Sequence, residues 1–95
     1  MRHVIVCTEF KGVYYGQTEA SAGSTTVTLH NARCAIYWGT TGGVGQLART
    51  GPTSSSRIGD TVTEMTVCGV QTMMACTADA AAAFTARPQS DGAAL

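Results

Sequence analysis

Ninety-five residues suffice for one small domain, which as a monomer would bury roughly two-thirds of its unfolded surface. Charged residues are 13% of the chain, about half the usual share, so the surface must be built from Thr, Ser, Gly, Gln and Ala or be covered by another subunit. Net charge is zero and the cations Arg2, Lys11, Arg33, Arg49, Arg57 and Arg87 are scattered. That pattern excludes the many-phosphate grip of a duplex DNA binder and leaves only local contact with one or two phosphates.

The first ten residues carry a short apolar run closed by Glu9, which is not a signal peptide. No stretch approaches the roughly 20 apolar residues of a bilayer span, so no membrane partner is expected. Residues 3–8 form a continuous β-branched run, suited to a strand buried on both faces. Lys11-Gly12 turns the chain into a second strand over residues 12–17. Residues 19–24 are small and polar, with Gly23 as the turn residue. Residues 25–29 alternate, with Thr25, Val27 and Leu29 on one face and Thr26, Thr28 and His30 on the other. Residues 31–33 form a corner or bulge, and residues 34–38 resume as an apolar strand.

After a long polar segment, residues 61–67 alternate again, with Thr61, Thr63, Met65 and Val67 opposing Val62, Glu64, Thr66 and Cys68. Gly69 is a turn or bulge, and residues 70–76 are the last strand. Thr77 is placed to cap a helix with Asp79 in its first turn. Residues 80–87 are strong helix formers and Pro88 stops them. Residues 89–95 have no pattern and read as a disordered tail to a single β-rich domain over 1–88. The predicted fold is therefore mainly β, a small antiparallel sandwich or curled sheet of about six strands with one short C-terminal helix.

The segment 39–59 stands apart, being rich in glycine and hydroxyls, with two arginines and no acid. Glycines let backbone N–H groups approach a ligand, hydroxyls donate, and guanidinium forks match phosphates or carboxylates. Within it, Gly43-Val-Gly45-Gln-Leu-Ala48 has the form of a dinucleotide fingerprint. Gly51-Pro52 ends any helix within a turn and no second βα unit follows, so the match is coincidental. Residues 51–57 lack the Walker lysine. They read either as a solvated turn or as a cradle in which Thr53, Ser54, Ser55 and Ser56 surround an anion anchored by Arg57. Arg49 adds a second fork if residues 44–48 form a short strand ending nearby, and Tyr37 and Trp38 would wall the pocket.

Adjacent aromatics in a strand point to opposite faces, so one of Tyr14/Tyr15 and one of Tyr37/Trp38 is expected in the core. Cys7, Cys34, Cys68 and Cys76 are widely spaced in strand-like runs, the pattern of reduced core cysteines and not of a zinc site. His3, His30, Glu9, Glu19, Asp60, Glu64 and Asp79 form no recognisable acid–base or metal-ligand spacing. A non-enzymatic role without metal or cofactor is the expectation. The alanine-rich helix offers little area to bury, which argues for help from further copies in a closed homo-oligomer.

Lined up together, Val4-Ile-Val-Cys-Thr-Glu9, Gly12-Val-Tyr-Tyr-Gly16, Leu29-His-Asn-Ala-Arg33, Ile36-Tyr-Trp38, Gly51-Pro52 and Ser56-Arg-Ile-Gly59 resemble a family of small proteins of tailed bacteriophages and prophages. Gly43-Val-Gly45-Gln-Leu-Ala48 and the helix from Thr77 fit the same pattern. The resemblance implies action in the host bacterial cytoplasm and transfers no catalytic residue. One function consistent with it is a homo-oligomeric anti-defence protein that sequesters a small anionic or nucleotide ligand. The alternatives are a structural or assembly component of the phage particle, and an oligomeric β ring that binds single-stranded RNA by aromatic stacking.

Overall fold

The computed structural model describes residues 1–92. Its elements are β1 (Arg2–Thr8), β2 (Val13–Thr18), β3 (Thr26–Tyr37), α1 (Val44–Arg49), β4 (Arg57–Ile58), β5 (Val62–Cys68), β6 (Val70–Ala75) and α2 (Ala78–Ala86). The mainly β architecture expected from the sequence is present, as one curled open sheet and not as a sandwich of two.

All pairings are antiparallel. β1 lies between β2 and β6, and β2 lies between β1 and β3. The twelve-residue β3 carries β5 along its first half and β4 at its end. β5 and β6 are consecutive and separated by Gly69 alone, yet they pair with opposite margins of the sheet, β3 and β1. The sheet must therefore curl enough for its two margins to meet at the Gly69 corner, from which β5 and β6 diverge. The bend falls at Gly69, whose φ of 69° is open to glycine at little cost. Glu9 N–H donates to the Gly69 carbonyl (3.1 Å) and Val70 N–H to that of Thr25 (2.9 Å), pinning the corner from both sides.

Curling gives the sheet an inner and an outer core. Val4, Val6, Val27, Leu29, Ala32, Val67 and Val70 fill the inside. Ile5, Val13, Tyr15 and Ala35 face outward and are covered by Leu47 and Ala48 of α1 and by Ala81 and Phe84 of α2. Successive residues of β1 thus feed different cores, which explains why that strand shows no alternation. The outer layer is keyed by a parallel stack of Tyr15 on Phe84, with centroids 4.5 Å apart at 4°. Burial pushes the Tyr15 phenol up to about 12, with a smaller push from Cys76, and its hydroxyl lies 2.7 Å from His3 Nδ1 in a hydrogen bond.

Several local expectations meet their physical cause here. The corner at residues 31–33 is a bulge: Tyr15 faces Arg33 and Gln17 faces His30, so Gly16 opposes two residues, and Asn31 takes φ 51°. Residues 44–48 are helix α1 and not a strand. Val44, Leu47 and Ala48, spaced i, i+3, i+4, turn one face onto the outer core. Tyr15 and Trp38 are the members of their aromatic pairs that pack in the outer core, with Tyr37 59% exposed. The cysteines are free thiols, but Cys68 is exposed on the outer side of β5, whereas Cys7, Cys34 and Cys76 are half-buried. Desolvation raises the pKa of all three half-buried thiols, and that of Cys76 reaches about 11.

α2 starts where Thr77 Oγ1 accepts from Ala80 N–H (3.1 Å), as capping requires. Of the segment 89–95, expected to be a disordered tail, Gln89 and Ser90 are hydrogen-bonded to Thr61 and Asp60, and residues 93–95 lie outside the described residues. Among the described residues no helix is long and apolar enough to cross a membrane.

Candidate functional site

The polar segment 39–59 folds in two parts. Gly51 divides them, with φ 86° and a Cβ position only 2.7 Å from Ala83 Cβ, so the chain passes against α2 where no side chain fits. Beyond it, Thr53–Ser56 is a self-bonded turn. Ser56 N–H donates to the Thr53 carbonyl (3.0 Å), Thr53 N–H to Ser56 Oγ (3.0 Å), and Ser56 Oγ–H to the Trp38 carbonyl. Ser55 N–H donates to Thr53 Oγ1 (3.3 Å). The Thr53 and Ser56 hydroxyls are spent on these bonds, which make the turn a bonded ledge, while Ser54 and Ser55 are exposed on it.

Two arginines from elsewhere hold that ledge. Arg87, just past α2, donates to the carbonyls of Ser56 (3.3 Å) and Thr53. Arg33, on β3, is fully buried. Its Nε donates to the Gly59 carbonyl (2.8 Å), and its terminal nitrogens donate to the carbonyls of Phe84 (2.9 Å), Arg87 (2.6 Å) and Pro88 (3.0 Å). One guanidinium thus satisfies the orphan carbonyls at the end of α2 and ties them to β4. Desolvation lowers its pKa, opposed in part by nearby Asp60. No buried side-chain N or O among the described residues lacks a partner.

Between β4 and the end of α2 runs a groove of about 470 Å³, within the range of small-molecule sites. One side carries Ile36, Arg57 and Ile58, and the other carries Arg87, Pro88 and Ser90, with Ser56, Gly59 and Asp60 completing the lining. The Arg57 side chain is exposed and makes no hydrogen bond to any described residue. Asp60 accepts from Ser90 N–H at Oδ1 (2.6 Å) and from Ser90 Oγ–H at Oδ2 (2.7 Å), bonds that hold its carboxyl below the usual range. Among the described residues, Arg57 and Arg87 line the groove together with the carboxylate of Asp60, Arg33 lies beneath its floor, and Asp91 follows Ser90 at its rim.

Of the residues singled out in the sequence, the groove gathers Ser56 and Arg57. Thr53 supports it through Ser56, while Ser54 and Ser55 are exposed on the turn. Tyr37 pairs with Arg57 across the β3–β4 ladder, and Trp38 packs toward the outer core, so neither walls the groove. Arg49 sits at the other end of α2, where its carbonyl accepts from Thr77 Oγ1 (2.6 Å). Nine helical residues span about 13 Å, so the backbones of Arg49 and Arg57 do not converge. The sequence reading missed Arg33, Asp60, Arg87 and Ser90. For Arg33 a signal existed, a lone charge inside the apolar run Ala32-Arg-Cys-Ala35, since a buried charge requires partners. Asp60 and Ser90 meet only through the tertiary fold. Among the described residues, no three His, Cys, Asp or Glu side chains cluster as metal ligands.

No curated protein and no solved structure matches the chain. A family model described as a domain of unknown function, DUF6948, matches residues 1–84, and the chain belongs to that family.

Proposed function

We propose that this DUF6948 member is a non-catalytic, self-associating binding protein that holds a small anionic, nucleotide-like ligand in the groove between β4 and the end of α2. The observation that carries the reading is Arg57, an exposed guanidinium that makes no side-chain hydrogen bond to any described residue, beside a groove of about 470 Å³. Its neighbours Arg87 and Arg33 are already committed to carbonyls, so they add field and rigidity while Arg57 remains available to the ligand. Ile36, 56% exposed, with Ile58 and Pro88 offers apolar surface for the uncharged part of such a ligand. Self-association is supported by the outer edges of β5 and β6, each paired on one side only, and by exposed Val62 and Tyr37. The phage setting belongs to the same proposal: a binder of this kind would withdraw nucleotide signals of host immunity in the bacterial cytoplasm.

Calorimetric titration with nucleoside monophosphates and cyclic dinucleotides at low ionic strength tests the reading. Saturable binding is expected, weakened about tenfold to a hundredfold in Arg57→Ala, the worth of a charge-assisted hydrogen bond. Wild-type protein that binds none of these anions would overturn it.

A further inference from the structure

We infer that the tip of the β1–β2 hairpin, residues 9–12, is a contact between two copies of this chain, made about a two-fold axis with Phe10 at its centre. It rests on the self-association proposed above and names a contact for it apart from the strand edges. Phe10 is 88% exposed, the most exposed large apolar side chain among the described residues. A single apolar residue on a surface is ordinary, but this one stands in a rigid and charged frame.

The frame is bonded along the whole turn. Thr8 N–H donates to the Gly12 carbonyl (2.9 Å), Lys11 N–H to the Thr8 carbonyl (3.1 Å), and Gly12 N–H to Thr8 Oγ1 (3.0 Å). Glu9 N–H is held by the Gly69 carbonyl of the neighbouring corner. Lys11 takes φ 64°, in the left-handed region that side chains disfavour. A backbone fixed there by its bonds displays Phe10 in one place, so little ordering is left to do on association.

Charge selects the occupant. Glu9 and Lys11 flank Phe10, both are exposed, and neither side chain makes a hydrogen bond or ion pair with a described residue. A two-fold contact is self-complementary and reverses the order of the tip. Glu9 then meets the partner's Lys11, Lys11 meets the partner's Glu9, and the two Phe10 rings meet between them. A lipid surface fits less well, because Glu9 would face its phosphates. A hairpin tip covers well under the roughly 1,200 Å² of a standard interface, so the contact is reversible and concentration-dependent.

Sedimentation equilibrium of the full chain over a wide concentration range reads the contact. Wild-type protein is expected to associate, and Phe10→Ser to raise the dissociation constant about tenfold to a hundredfold, since each substitution counts in both copies. Glu9→Lys or Lys11→Glu alone should weaken association about tenfold by facing like charges, whereas an equimolar mixture of the two should associate as tightly as wild type. All three side chains are exposed, so these substitutions should leave the fold unchanged. Association indifferent to all three overturns the hairpin contact and leaves self-association to the strand edges. Wild-type protein that stays monomeric throughout overturns both. If that monomer binds phosphatidylcholine vesicles and Phe10→Ser does not, the tip belongs to a lipid surface and the two-fold contact falls.

Discussion

The two halves of the glycine-rich segment solve one problem in opposite ways. Residues 39–50 have apolar side chains to offer, and α1 is held by burying Leu47 and Ala48, with Val44, in the outer core. A helix of six residues has no independent stability in water, so this packing is its main support. Residues 51–60 have almost nothing apolar, apart from Ile58. They are held instead by donors reaching in from β3 and from the end of α2, through Arg33 and Arg87. A polar loop can thus be ordered without a core of its own, provided that cations from the scaffold satisfy its carbonyls. It then keeps its surface for a ligand, which a loop held by side-chain burial cannot do as readily.

Removing the support of each half should separate them. Arg33→Met keeps length and apolar stem but removes the guanidinium donor from the carbonyls of Gly59, Arg87 and Pro88 and leaves that of Phe84 only the Arg87 N–H. A loss of about 3–5 kcal/mol is expected by denaturant titration, with amide exchange rising first around Gly59 and residues 87–90. A uniform rise across α1 as well would break the proposed division of labour. Leu47→Ala should cost about 2–5 kcal/mol through the cavity it opens under α1. Ser55→Ala, on the exposed turn of the other half, should stay within about 0.5 kcal/mol. Similar losses for these two would mean that the turn is packed and not merely bonded.

The comparison also explains what the sequence could disclose. Alternation in residues 25–29 and 61–67, the buried run of β1, the bulge at Asn31 and the cap at Thr77 are local patterns, and the strands and α2 follow from them. Arg57 stood out because a cation among hydroxyls is visible within a few residues. The helical spacing of Val44, Leu47 and Ala48 was present too, but the surrounding glycines weakened it. Nothing local shows that Arg33 reaches Pro88, 55 residues away, or that Ser90 bonds Asp60 from 30 residues on. Those contacts depend on how far the sheet curls, which is set by Gly69 and by two strands pairing with opposite margins. The loop was therefore legible as a candidate site, and the far wall of the groove beside it was not.

That far wall titrates, and its smaller effect sharpens the comparison further. Asp60 has its pKa lowered from 3.8 chiefly by the two bonds from Ser90. Its contribution to holding residues 89–90 is therefore complete above the unfolded value. It is lost as pH falls below 3.8 through the lower folded value. The Ser90 amide should stay protected from exchange from pH 7 down to about 3.8 and lose protection only below it, while α1, held by apolar contacts, is unmoved. Asp60→Asn should remove the pH dependence without touching Leu47. If α1 and Ser90 lose protection together on acidification, the two halves unfold as one unit, and the groove is no more separable than the core beneath it.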